Sequence, residues 1–143
     1  MVEKGTVFWI TGLAGAGKTV LATHLVDVLR ENRLPVLHVD GDAVREVFGN
    51  DLGYDLEDRV KNAFRIAGLC RFLQVNGLHV VCSTISLYPE VWKWNDENLE
   101  PFRNIFVDVD LSVLRKRNKK GLYALEQDGE DVVGVTIPVR KPD

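Results

Sequence analysis

The chain has 143 residues, of which 45% are hydrophobic and 27% are charged, and its formal net charge is −3. This length suffices for one domain with its own core but not for two ordinary domains, so we predict a single domain over residues 1–143. The small negative charge gives no general attraction to nucleic acid or to anionic membranes. No apolar run approaches the ~20 residues of a membrane helix. We therefore expect a cytoplasmic protein without nucleic-acid or membrane partners.

The two cysteines, Cys70 and Cys82, lie in apolar surroundings and lack the spacing of metal ligands. Buried free thiols are predicted, which fits a reducing compartment. His24, His38 and His79 are isolated from one another in the sequence, and we interpret all three as structural.

Short apolar runs alternate with helical patterns along the chain, which indicates a parallel α/β sheet with crossover helices. Four strands are predicted, at residues 6–11, 36–40, 78–86 and 104–110. Five helices are predicted, at residues 19–31, from residue 42, at 56–75, at 89–99 and from residue 112.

The longest helix has recognisable signals at both of its ends. Asp55 precedes the helical pattern and is predicted as its N-cap, while Asn76 and Gly77 are predicted to close it. Beyond Asn118 the periodicity fades, and we expect a mobile segment there, over roughly residues 118–135. Four strands are few for such a sheet, so a further C-terminal strand and helix are expected to be missing.

The segment between the first strand and the first helix, "GLAGAGKT", has the spacing of a phosphate-binding loop. Its glycines allow a tight turn that points successive backbone N–H groups at phosphate oxygens, next to the positive end of a helix. The motif predicts that the lysine contacts the β- and γ-phosphates and that the threonine hydroxyl binds Mg²⁺. The predicted nucleotide-binding residues are Gly12, Leu13, Ala14, Gly15, Ala16, Gly17, Lys18 and Thr19.

A regulatory GTPase is disfavoured by two segments near the end of the chain. A GTPase would have an Asn-Lys-x-Asp guanine-binding motif after a late strand, and here that region reads "NKKG", with Gly121 in place of the aspartate. The segment "DVVG" from Asp131 imitates a switch motif but follows the last predicted strand. We predict an α/β fold of the P-loop NTPase type, with helices on both faces of the sheet and a mobile C-terminal segment.

Two carboxylates follow the second predicted strand, in "HVDGDAVRE". Asp40 and Asp42 lie at the carboxyl end of that strand, which is the edge where open parallel sheets bind ligands. A carboxylate facing a γ-phosphate can orient an attacking hydroxyl and accept its proton. Asp42 could equally be the N-cap of the following short helix. Arg45, one turn further, favours the functional interpretation.

The next loop and helix contain further candidates for binding an acceptor. Tyr54 lies on a glycine-containing loop, and Arg59 and Asn62 are three residues apart, which places them on one helix face. Together with Arg45 they could bind an anionic acceptor with Tyr54 stacked on its base. A solvated helix face and a core tyrosine are the alternatives.

Five motifs occur in this order along nearly the whole chain: "GLAGAGKT", "DGDAVR", "NDLGY" with "DRVKN", "ISLY" and "KGLY". The set resembles the adenylylsulfate (APS) kinase family, P-loop kinases that use MgATP to phosphorylate the ribose 3′-hydroxyl of adenosine 5′-phosphosulfate. The resemblance implies ATP and Mg²⁺ as cofactors and a small nucleotide as the acceptor.

The resemblance also implies a role for individual residues. Asp42 is the base, Lys18 and Ser86 complete the catalytic set, and Thr19 with Asp42 holds the metal. The implied acceptor-binding residues are Asp40, Arg45, Tyr54, Arg59, Asn62, Ile85, Ser86, Lys120, Gly121 and Leu122, the last three opening the lid.

The sequence departs from the family pattern around the acceptor. The family's Ile-Ser-Pro reads "ISL", and the arginines that usually follow are replaced by "PEVWKWN". The lid lacks its usual lysines, and Val132 or Val133 replaces an aromatic residue. The pattern is similar to a divergent branch associated with polysaccharide modification, in which one member type phosphorylates cytidine diphosphoramidate. The leading prediction is an APS kinase-like nucleotide 3′-kinase, with cytidine diphosphoramidate as the alternative acceptor and a catalytically silent nucleotide-binding module as the alternative of another class.

Two other features remain. In the basic run "RKRNKK" we expect one cation, Arg117, near ATP and the rest solvated, since the acidic total argues against nucleic-acid binding. Trp92 and Trp94 cannot share a helix face, so we expect one in the core and the other at the acceptor cleft or a dimer contact. The sequence leaves a homodimer open.

Overall fold

The computed structural model of the chain describes residues 2–117. Within them four strands form one sheet, β1 (Val7–Thr11), β2 (Val36–Asp40), β3 (His79–Ser83) and β4 (Phe102–Phe106), in the order β2-β3-β1-β4. All three strand pairings are parallel. The carboxyl ends of the four strands therefore lie at the same edge of the sheet, as predicted for a P-loop NTPase-type fold.

Helices connect the strands, as a parallel sheet requires. They are α1 (Lys18–Glu31), α2 (Gly41–Val47), α3 (Leu56–Val75), α4 (Pro89–Asn98) and α5 (Leu111–Arg117). None of these helices has both the length and the apolar composition needed to cross a membrane.

The core lies on both faces of the sheet. On one face α1 contributes Ala22 and Val26, which pack with Ile10 and Val81. On the other face α3 and α4 cover a larger cluster that includes Trp9 at its centre. Alternate residues of each strand point to opposite faces, so the two central strands, β1 and β3, are buried on both sides and are mainly apolar, whereas the edge strands β2 and β4 are partly exposed. Helices on both faces were predicted, and this is confirmed.

The long helix α3 has the bounds that its sequence signals predict. The Asp55 side chain accepts a hydrogen bond from Asp58 N at 2.8 Å, so it is the N-cap. At the other end Gly77 adopts φ 90°, a left-handed conformation that favours glycine and reverses the chain toward β3. Because capping and periodicity are local properties, the sequence alone was enough to place this helix.

Two predicted strands differ from the observed ones, because the extent of a strand depends on partner strands that are distant in the chain. The fourth strand covers Phe102–Phe106 rather than 104–110, because its partner β1 ends at Thr11, which pairs with Phe106. The third strand ends at Ser83 rather than residue 86, since β2 supplies no partner beyond Asp40. The short helix α2 begins at Gly41, one residue earlier than predicted.

Candidate active site

The phosphate loop joins β1 to α1 at the carboxyl edge of the sheet. Gly17 is the N-cap of α1 with φ 103°, a left-handed conformation that other residues rarely adopt. A Cβ on Gly12 would lie 2.8 Å from Val107 O, so only glycine lets the loop approach the segment after β4. Ala16 N donates to Leu13 O at 3.1 Å, and Ala16 packs against Leu114 of α5. The conformation of the loop is thus set by its own glycines and by packing against α5.

Lys18, the first residue of α1, folds back over this loop. Its ammonium donates hydrogen bonds to Gly12 O at 2.8 Å and to Leu13 O at 3.0 Å. The charge therefore lies at the mouth of the loop, where the phosphates of a nucleotide would bind. Thr19 follows on the same turn with an exposed side chain. The predicted loop residues Ala14 and Gly15 are half-buried in the same turn.

The two aspartates after β2 have different environments. Asp40 is the N-cap of α2, since its carboxylate accepts a hydrogen bond from Asp42 N at 3.3 Å. Asp42 is exposed in the first turn of α2, so the alternative in which Asp42 is the N-cap is wrong. The functional alternative for Asp42 stays a prediction, and its carboxylate lies at the same sheet edge as the phosphate loop.

Arg45 and Arg59 lie close to Tyr54, which is on the loop between α2 and α3, residues 48–55. The Arg45 side chain is buried, and its Nη1 donates to Leu52 O at 3.2 Å and to Gly53 O at 3.1 Å. Its guanidinium lies 4.4 Å from the centroid of the Tyr54 ring, and that of Arg59 lies 5.3 Å from it. Tyr54 is 59% exposed, so the alternative of a core tyrosine is wrong.

Asn62 lies one turn after Arg59 and completes this group. Its side chain is buried, and its Oδ1 has no hydrogen-bond partner among residues 2–117. An unpaired buried carbonyl oxygen is unfavourable, so a ligand that donates a hydrogen bond there gains free energy. The structure brings together Arg45, Tyr54 and Arg59, three of the predicted acceptor-binding residues, and places Asn62 one turn from Arg59 on α3.

Tyr88 belongs to the same region, although no role was predicted for it from the sequence. Burial raises the pKa of its hydroxyl, while the positive charges of Arg59 and Arg45 act in the opposite direction. The Tyr88 ring therefore lies within electrostatic reach of both guanidinium groups. Its position at the end of the quoted segment "ISLY" was the signal that could have identified it.

Ser86 and Ile85 lie on the segment that follows β3. The Ser86 side chain is buried, and its hydroxyl lies 2.6 Å from that of Thr84. The Trp92 indole Nε1 donates to Ser86 O at 3.2 Å, whereas Trp94 packs against the core cluster. One tryptophan is therefore in the core and the other contacts the serine segment.

Several predicted residues cannot be placed. Lys120, Gly121 and Leu122, together with the rest of the predicted lid over residues 118–135, lie outside the described residues. Arg117 is the last described residue of α5, and the position of its side chain is likewise not described.

The cysteines and two of the histidines have structural contacts. Cys70 and Cys82 are buried free thiols, as predicted, and burial raises the pKa of Cys82. His38 Nε2 lies 2.9 Å from Ser83 Oγ, and His79 Nδ1 accepts a hydrogen bond from Thr6 N at 3.0 Å. Within residues 2–117 no three His, Cys, Asp or Glu side chains gather in a group that could hold a metal ion.

Comparison with known proteins decides the family. The sequence profile described as adenylylsulphate kinase matches residues 4–143. The chain belongs to the adenylylsulphate kinase family. The predicted enzyme class, a phosphotransferase acting on an alcohol group, is thereby confirmed.

Individual relatives of this family member carry two different names. The cytidine diphosphoramidate kinase of Campylobacter jejuni subsp. jejuni serotype O:2 is 35% identical, covering 100% of this chain and 85% of the relative. The probable adenylyl-sulfate kinase of Aeropyrum pernix is 38% identical, covering 99% of this chain and 81% of the relative. The family and the divergent branch named from the sequence are both represented.

A solved structure supports the fold of this adenylylsulphate kinase family member. The Mycobacterium tuberculosis APS kinase in complex with AMPPNP and APS superposes with a TM-score of 0.89 at 30% identity. The match covers 98% of this chain and 84% of that chain. That relative thus binds an ATP analogue and APS on the same fold.

Proposed function

We propose that this chain transfers the γ-phosphate of MgATP to the ribose 3′-hydroxyl of a nucleotide 5′-anhydride. The observation that carries the proposal is the placement of three groups at one edge of a parallel sheet. The phosphate loop follows β1, the Asp40–Asp42 turn follows β2, and the Ser86 segment follows β3. Such an edge lets a donor and an acceptor nucleotide face each other.

On the donor side, the phosphate loop and Lys18 bind the β- and γ-phosphates of ATP. Thr19 and Asp42 provide a hydroxyl and a carboxylate oxygen, the ligand type that Mg²⁺ prefers, and Mg²⁺ is usually held by few protein ligands together with phosphate oxygens. The donor set therefore fits this ion without a carboxylate cluster. When bound, Mg²⁺ neutralises charge on the phosphates.

On the acceptor side, Asp42 accepts the proton of the 3′-hydroxyl. The hydroxyl oxygen forms a bond to the γ-phosphorus, the bond from that phosphorus to the β–γ bridging oxygen breaks, and ADP leaves. Arg45 and Arg59 offer guanidinium donors to the anionic 5′-end of the acceptor, while the exposed Tyr54 ring offers a stacking surface for its base. Asn62 Oδ1 offers an acceptor for a base amine or a ribose hydroxyl. The remaining proposed contacts are Asp40, Ile85 and Ser86.

The two candidate acceptors differ in their 5′-groups and bases. Adenosine 5′-phosphosulfate is supported by the family match and by the A. pernix relative. Cytidine diphosphoramidate is supported by the C. jejuni relative and by the "PEVWKWN" segment that replaces the family's arginines. We propose the APS kinase-like reaction first and the cytidine reaction as the alternative.

An acceptor panel tests the proposal. Purified protein and MgATP are mixed with each acceptor, and ADP release is followed. Phosphorus NMR then determines which hydroxyl of the product carries the new phosphate. APS and cytidine diphosphoramidate are the first compounds, each with its 3′-deoxy analogue as the control. We expect acceptor-dependent ADP and a 3′-phosphate with one of them, and none with its 3′-deoxy analogue.

The same panel distinguishes the alternatives. Tight binding of ATP and acceptor by calorimetry, with no ADP formed, would instead support a silent nucleotide-binding module. Preference for GTP over ATP as donor would contradict the adenine donor that the family match suggests.

We further propose that the enzyme acts in the cytoplasm on a small-molecule nucleotide. Self-association as a homodimer stays a prediction, which light scattering on the purified chain would test.

A further inference from the structure

We propose that Thr84 is a positioning residue that sets the orientation of the Ser86 hydroxyl in the acceptor cleft. The proposal rests on the proposed function, since it concerns the same site. No role follows for Thr84 from the motifs quoted above, because it precedes the segment "ISLY" that carries the resemblance.

The two hydroxyls form a close and buried pair. Thr84 Oγ1 and Ser86 Oγ lie 2.6 Å apart, at the short end of the usual range for O–H···O hydrogen bonds. Thr84 is 8% exposed and Ser86 is 5% exposed. Because water has little access, rotating either hydroxyl away would leave a buried polar group without its partner. The pair therefore restrains the Ser86 side chain.

The backbone of Ser86 is restrained separately. The Trp92 indole on α4 donates to Ser86 O at 3.2 Å, so the peptide unit is anchored from the helix side. With its carbonyl held, the freedom left to Ser86 is mainly rotation about its Cα–Cβ bond. That rotation is the one that the Thr84 hydroxyl controls.

Thr84 also contacts the turn that carries the two aspartates. A Cβ on Gly41 would lie 3.2 Å from Thr84 Oγ1 and 3.4 Å from Thr84 Cβ, so the Asp40–Asp42 turn passes directly over this side chain. Thr84 is thus packed between Gly41, the residue before the proposed base, and Ser86 after β3. A single side chain therefore links Ser86 to the turn that carries the proposed base.

A purely structural role is the alternative. In that case the two hydroxyls would only satisfy each other at the end of β3, and losing one would change stability without changing catalysis. A double-mutant cycle separates the two roles, because a residue that acts through Ser86 loses its effect once the Ser86 hydroxyl is gone.

The experiment compares the wild type with Thr84→Val, Thr84→Ser, Ser86→Ala and the Thr84→Val/Ser86→Ala double variant. Valine keeps the shape of threonine and removes the hydroxyl, whereas serine keeps the hydroxyl. Initial rates are measured at saturating MgATP with the acceptor that the panel identifies, and KM for ATP is measured separately. The ATP-induced shift in Tm of each variant reports whether the fold and the phosphate loop are intact.

We expect Thr84→Val to lower kcat/KM for the acceptor about tenfold, as the loss of one buried hydrogen bond would, with KM for ATP unchanged. Thr84→Ser should keep kcat/KM for the acceptor within about twofold of the wild type. In the Ser86→Ala background, Thr84→Val should lower kcat/KM further by less than about twofold. This pattern would support the positioning role.

Two results would overturn it. Thr84→Val could match the wild type in kcat/KM, or it could lower the activity of Ser86→Ala as much as it lowers that of the wild type. If no acceptor is turned over by the wild type, the cycle is repeated on the calorimetric Kd for APS and for cytidine diphosphoramidate. A wild type that neither turns over nor binds any acceptor overturns the proposed function and this inference with it, whereas an active wild type with additive variants overturns this inference alone.

Discussion

Two aspartates at the carboxyl edge of the sheet differ in their environments. Asp40 and Asp42 are two residues apart, yet Asp40 caps α2 while Asp42 is exposed in its first turn. A cap stabilises the helix by satisfying a backbone N–H, whereas a carboxylate in the first turn gains a modest stabilisation from the positive end of the helix. Residue identity alone does not separate these roles.

Substitution of the proposed base is the first residue-scale prediction. Asp42→Asn should lower kcat by roughly 10² or more, since asparagine cannot accept the hydroxyl proton. Its free energy of unfolding should fall by less than about 1 kcal/mol, the usual contribution of one charge near a helix end. Glu46→Gln, an exposed change on the same helix, is the control and should keep wild-type rates. Normal turnover by Asp42→Asn would exclude its role as base.

Asn95 gives a prediction about stability. It is fully buried on α4, one turn from Val91 and Leu99 of the apolar core, and neither atom of its amide has a partner among residues 2–117. Asn95→Leu should raise the free energy of unfolding by about 1–2 kcal/mol, because it removes a buried polar group with no hydrogen bond. Asn98→Leu is the matched control: it loses a hydrogen bond to Trp94 O and should not raise the free energy of unfolding. Urea denaturation measures both, and a loss of stability in Asn95→Leu would contradict this prediction.

At the scale of elements, the sequence placed helices better than strands. The bounds of α3 follow from Asp55, Gly77 and a periodic apolar face, all of which lie within or beside the helix. The start and end of β4 depend on where β1 offers partners, nearly a hundred residues earlier in the chain. The residue pattern of β4 by itself carries no information about that distant partner, which explains why the predicted bounds of the fourth strand were wrong.

Gln74 joins three elements and gives the element-scale prediction. Its side chain is buried near the end of α3, and its Nε2 donates to Gly5 O at 2.9 Å and to Pro101 O at 2.7 Å. Gln74→Leu should lower the free energy of unfolding by about 2–3 kcal/mol, because the buried Gly5 O and the partly buried Pro101 O both lose a donor. Asn76→Ala removes an amide-to-carbonyl bond of the same kind at an exposed site and should cost less than about 1 kcal/mol. Equal losses from both variants in urea denaturation would contradict the bridging role.

At the scale of the whole molecule, binding at the sheet edge should stabilise the entire domain. A ligand that binds only the folded state adds about 2.7 kcal/mol at one hundred times its Kd. MgATP should therefore raise Tm by several degrees, and Lys18→Met should lose most of that shift because its ammonium lies at the mouth of the phosphate loop. Lys61→Met removes an exposed lysine paired with Glu57 and should keep the shift. An undiminished shift in Lys18→Met would contradict its role in binding phosphate.

The sequence by itself determined the phosphate loop, the α3 helix, the parallel α/β fold and the kinase family, because each rests on residues close together in the chain or on motifs in a fixed order. The sequence also predicted Arg45, Tyr54, Arg59 and Asn62 as acceptor-binding residues, but it did not predict the contacts among their side chains. Only the tertiary structure decided that two guanidiniums lie over an exposed Tyr54 ring, and that Thr84 holds the Ser86 hydroxyl beneath the Asp40–Asp42 turn. Those contacts bring together α2, α3, the loop between them and the segment after β3. The physical reason is that burial and pairing at the sheet edge depend on how the whole chain packs.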